Sequence, residues 1–186
     1  GFAQLGGELL ILAALVVIYV FNFSSLPVDN QTPLARSLRE VAAFCNLGLS
    51  AFVTTAVAAR FVFPTISLEG RAWWVLRSAP VPLTSIWWSK FWIGFLPLLT
   101  LGIPLLVVTN VFLHVETRLT MIFVATMIPL LAAIVSMGLA FGATYPRFDT
   151  QNAAQIATGF GAIVYMVSSM LLIGAVVALA AYPLSR

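Results

Sequence analysis

Fifteen charged residues interrupt this 186-residue chain so unevenly that five intervals of at least 19 residues hold none. The gaps lie between Glu8 and Asp29, Glu40 and Arg60, Lys90 and Glu116, Arg118 and Arg147, and Asp149 and Arg186. A helix that crosses a bilayer needs about 20 predominantly apolar residues, and each gap supplies them. The expectation is an all-α, polytopic membrane helical bundle, one transmembrane domain over residues 1–186. Its spans are placed at about 9–23, 41–63, 90–112, 119–144 and 156–182. Composition agrees: 61% of residues are hydrophobic and 8% charged, with a mean hydropathy of +1.05. A soluble domain has roughly a quarter of its residues charged, and disorder requires low hydrophobicity with high charge.

Five spans leave only short loops and no room for a soluble catalytic domain. The net charge of +3 is spread without a basic face, so nucleic acid is not an expected partner. Cys45 is the only cysteine, which excludes an intrachain disulfide and a cysteine-based metal site, and its reading is a small packing residue. The first apolar run lacks a basic leader and a small-residue cleavage site, so it is not read as a signal peptide. Gly1 at the start and Arg186 right after an apolar run suggest a piece of a longer protein.

Thr32 followed by Pro33 has the form of a helix N-cap with proline at the first position. Arg36, Arg39 and Glu40 then lead into the second span, which Pro64 ends. Residues 65–89 form the least lipid-like loop. Glu69, Arg71, Arg77 and Lys90 fall in or beside it, and all five tryptophans, Trp73, Trp74, Trp87, Trp88 and Trp92, lie here or one turn beyond. Tryptophan favours the membrane–water interface because its ring is apolar while its N–H still needs a partner. These features predict one short amphipathic interfacial helix over about Leu68–Ser78, capped by Ser67, broken by Pro80 and Pro82. Pro97 and Pro104 predict a kink in the third span. Gly138 and Gly142 form a small-xxx-small pair, read as close packing within one subunit rather than a dimer contact. Placing the 65–89 loop in the cytoplasm puts five basic residues inside and four outside, a weak agreement with the positive-inside rule.

The chemistry absent from the chain narrows its function. One histidine, His114, excludes a zinc-protease pair, and at a helix end it reads as an interfacial loop residue. No Walker A sequence, glycine-rich phosphate loop or carboxylate pair occurs, so the chain is expected to have no catalytic site, no cofactor and no metal. No ionisable group falls in the middle of a span, which argues against an ion-coupled carrier. Asn46 and Asn110 are the remaining intramembrane polar residues and are expected to hydrogen-bond between helices.

The stretch from Ser67 to Lys90 resembles the cytoplasmic loop after the second membrane helix of type-2 ABC exporter permeases. The matching features are Glu69, Gly70, the apolar run Trp73–Leu76, the turn Ser78-Ala-Pro80, and Lys90 ten residues after that proline. Within these permeases the chain is most similar to a group of ABC exporters that carry an F-P-x-x-S-L-E-G-R stretch and a P-R-F-D turn, here Phe63–Arg71 and Pro146–Asp149. The resemblance frames about residues 40–165. It departs at Pro82, where many members have Ser or Thr, and in lacking a sixth helix.

The resemblance implies the permease subunit of an ATP-driven exporter in a bacterial cytoplasmic (inner) membrane. It implies coupling through residues 68–79 to a separate ATP-binding ABC subunit, and a homo- or heterodimer of permeases. It makes Glu69, Gly70, Arg71, Arg77, Pro80 and Lys90 the coupling candidates and the five tryptophans interface anchors. Arg147 and Asp149 become a polar pair in a second cytoplasmic loop. The competing readings are an ATPase-independent channel or carrier, and a structural subunit of a membrane complex.

Overall fold

A computed structural model of the protein describes residues 33–68, 70, 82–146 and 153–182. Six helices account for them in order: α1 (Pro33–Phe61), α2 (Thr65–Leu68), α3 (Leu83–Phe112), α4 (Thr117–Thr144), α5 (Ala153–Ala157) and α6 (Phe160–Ala181). Among the described residues there is no strand. Four stretches are long and apolar enough to cross a membrane: Glu40–Leu68, Thr84–Phe112, Thr117–Thr144 and Phe160–Ala181. They correspond to the second to fifth expected spans, while the span expected at 9–23 lies outside the described residues.

Helix boundaries follow from local chemistry and refine the expected ones. Pro33 opens α1, where a missing N–H leaves no intrahelical bond unmade. Pro64, with no N–H to give, ends it, and the chain turns tightly: the Val62 and Phe63 amides both bond the Ala58 carbonyl, and Thr65 Oγ1 donates to the Val62 carbonyl at 2.6 Å. Ser67 is then buried inside the short helix α2. The rest of the expected interfacial helix, residues 71–78, is outside the described residues. Helix α3 is continuous from Leu83 through Pro97 and Pro104 to Phe112. The last span is divided by Thr158 and Gly159 into α5 and α6.

The core is built around α1. It packs against α3, α4 and α6, α3 packs on α4, and α4 on α6. Alanines 43, 51, 58 and 59 are buried and let neighbouring backbones come close, the usual basis of helix association in lipid. Larger side chains fill the interior: Leu47 from α1, Leu106 from α3, Phe123, Met127, Leu131 and Ile134 from α4, and Tyr165 from α6. Phe63 stacks on Tyr165 with centroids 6.1 Å apart. Ile93, Leu171 and Leu179 each expose more than two thirds of their surface, an outward apolar face suited to hydrocarbon rather than water. Cys45 also lies on an exposed flank of α1.

Candidate functional site

The first turns of α3 place Thr84, Trp87, Trp88 and Phe91 at helical spacings of three and four, hence on one face. Opposite stand Ala132, Ala133, Ser136 and Leu139 of α4. Large rings on one helix meet small side chains on the other, and the mismatch leaves a groove of about 450 Å3. Its aromatic wall is braced along α3: Trp88 meets Phe91 edge-on at 5.5 Å, and Phe91 stacks on Phe95 at 5.3 Å. Ser136 donates its hydroxyl to the Ala132 carbonyl at 2.8 Å, so the floor has its hydrogen bond satisfied internally.

A smaller hollow of about 190 Å3, lined by Phe63, Tyr145, Ile156 and Phe160 among others, lies where α1, α4, α5 and α6 converge. Here the helix ends approach so closely that glycine is needed. A Cβ on Gly142 would stand 2.5 Å from the Phe63 carbonyl oxygen, and one on Gly161 2.6 Å from the Tyr145 Cβ. The Gly138–Gly142 pair thus serves packing within the chain, as expected.

The buried polar groups gather between α1 and α3. Asn46 donates from Nδ2 to Thr109 Oγ1 at 2.8 Å and to Asn110 Oδ1 at 2.7 Å. Thr109 in turn donates to the Leu105 carbonyl at 2.7 Å. Asn46 and Asn110 are therefore interhelical hydrogen-bonders, as expected, and Thr109 is a third member. Ser50 Oγ and Asn110 Nδ2 are buried without a hydrogen-bond partner. One turn further along α1 from Ser50, Thr54 bonds back to the Ser50 carbonyl at 2.7 Å.

Of the residues singled out from the sequence, the structure brings Trp87 and Trp88 into the groove and sets Trp92 beside it on the exposed face of α3. Lys90 is half-buried on the same helix. Gly70 lies in a turn, its amide bonded to the Ser67 carbonyl at 3.2 Å. Glu69, Arg71, Trp73, Trp74, Arg77, Pro80, Arg147 and Asp149 lie outside the described residues. His114 sits in the α3–α4 turn with φ of 52°, exposed. Among the described residues no group of three or more His, Cys, Asp or Glu could hold a metal ion. The sequence reading missed Thr84, Phe91 and Ser136. The 84-87-88-91 spacing could have revealed the α3 wall, whereas nothing in the sequence pairs it with α4.

The model of a family described as "Putative ATP-binding cassette" matches residues 3–185. The chain belongs to this family. No curated protein and no solved structure matches it.

Membership in the cassette family corrects three expectations. The type-2 exporter permease drawn from residues 63–71 and 146–149 gives way to a family described by ATP binding, matched over nearly the whole chain. The role of a permease subunit served by a separate ATPase falls with it, and its channel, carrier and structural competitors gain no support. The third correction concerns catalysis: a chain with no part in ATP chemistry is at odds with a family described in this way. The earlier exclusion rested on the absence of a Walker A sequence, a glycine-rich phosphate loop and a carboxylate pair, which are local signatures. What stands is an ATP-binding-cassette setting and a set of helices able to cross a membrane.

Proposed function

We propose that this chain is a membrane-embedded, ATP-binding component of an ATP-binding-cassette transport protein in a bacterial cytoplasmic membrane. The observation that carries this reading is the set of four helical stretches of 22 to 29 residues, apolar enough to span a bilayer, inside a chain matched over residues 3–185 by a cassette family. Residues 9–23 would add a fifth crossing to a single transmembrane domain. Residues 69–82 would lie at the membrane surface, with Trp73 and Trp74 floating them and Glu69, Arg71 and Arg77 facing the aqueous, nucleotide-handling side. Pro80 and Pro82 would make a stiff lead into α3, so a displacement of the loop would tilt the helix that walls the groove. Arg147 and Asp149 would sit on the same side of the membrane, and the assembly would be a dimer.

The test uses native membrane vesicles containing the protein and a photoactivatable ATP analogue. The chain is expected to remain in the membrane after an alkaline carbonate wash and to take label that excess ATP displaces. Release by carbonate, or labelling that ATP does not compete, overturns the proposal.

A further inference from the structure

The groove between α3 and α4 has a volume in the range of pockets that hold a single drug-sized apolar ligand. Its surroundings indicate what fills it. Trp88 is both a wall of the groove and, at 61% exposure, part of the outer surface, which continues along α3 through Trp92 and Ile93. On a membrane-crossing helix that outer phase is hydrocarbon, so the groove is continuous with lipid tails. One end is polar: Thr84, in the first turn of α3, lines it. Beyond Lys90 no charge occurs until Glu116. The groove therefore runs from headgroup depth, marked by tryptophans, into the apolar core, the polarity gradient of a phospholipid. A second copy of the chain fits poorly. One turn of helix, about 10 Å across and 5.4 Å tall, already occupies about 420 Å3.

We infer that the α3–α4 groove is a phospholipid site: it takes one acyl chain against Trp87, Trp88 and Phe91, with the headgroup level with Thr84. Ala132 and Ala133 are the specificity-determining floor, because any larger side chain there occupies the acyl volume. The inference rests on the bilayer-spanning reading above.

The test is native mass spectrometry of the intact protein, purified in mild detergent and mixed with dipalmitoyl phosphatidylglycerol or with the diacylglycerol of the same chains. Wild type is expected to retain one phospholipid per chain. Retention should fall at least tenfold in Ala133→Phe, and in Ala132→Leu, which fills the floor more gently, each compared at wild-type helicity. Diacylglycerol should be held less well than the phospholipid, and Thr84→Val should narrow that difference. Equal retention in wild type and both filled variants overturns the inference. So does loss of a dimer, rather than of a lipid, in Ala133→Phe. If wild type holds no phospholipid yet resists carbonate extraction, the lipid site fails and the membrane reading stands; release by carbonate removes both.

Discussion

Replacing Gly142 by alanine tests the packing where α1 ends. The added Cβ would lie 2.5 Å from the Phe63 carbonyl oxygen, and carbon atoms in real structures stay beyond about 3.0 Å. The oxygen has little freedom to retreat, because the Val62 and Phe63 amides are both tied to the Ala58 carbonyl. One backbone must move by about half an ångström, and overpacking of this kind costs about 1–3 kcal/mol. Alanine returns up to about 1 kcal/mol of helix propensity, so the net loss is about 1–2 kcal/mol. Gly138, one turn earlier, is the control: its Cβ would meet Val62 Cγ1 at 3.4 Å and Tyr165 at 3.5 Å, ordinary contacts with side chains. Gly138→Ala should therefore be neutral or stabilising by up to about 1 kcal/mol. Thermal unfolding of the detergent-solubilised protein would read the contrast. At about 2–4 °C per kcal/mol for a chain of this size, the two variants should melt roughly 2–12 °C apart, with Gly142→Ala the lower. Equal melting temperatures would refute the close approach. A loss in both that appears only as dimer dissociation would assign the glycines to an interface between copies.

Phe63→Ala should destabilise by about 3–5 kcal/mol, since it removes a buried ring stacked on Tyr165; chemical unfolding in micelles reads it, and a loss below about 1 kcal/mol would contradict the packing. A double-mutant cycle on Asn46→Ala and Asn110→Ala should give a coupling of about 0.6 kcal/mol, at most about 1.7, as found for hydrogen bonds between membrane helices. Strict additivity would mean that the bond contributes nothing. Leu171, 71% exposed at the middle of α6, should tolerate Leu171→Ala but not Leu171→Asp, which costs about 3–4 kcal/mol of membrane insertion. Equal insertion of the two, scored by glycosylation mapping, would show that this face does not meet lipid.

Much of the fold was legible because it depends on composition along one helix at a time. The charge-free gaps located four of the helices now described, and Pro33 and Pro64 marked both ends of α1. Asn46 and Asn110 stood out because polar side chains in a span need partners. The functional expectation rested on short stretches, residues 63–71 and 146–149, whereas the family match extends over residues 3–185.

The sequence by itself determined that the chain is helical and apolar enough to cross a membrane, since both follow from the spacing of charges and the length of the runs between them. Only the tertiary structure decided that Trp87 and Trp88 face Ala132 and Ala133 across a groove, that Asn46 reaches Thr109 and Asn110, and that Gly142 receives the Phe63 carbonyl. These are meetings between helices 45 to 80 residues apart in the chain. A nearly uniform apolar surface has no strong periodicity to announce them, so they are fixed by which small residues allow two backbones to approach.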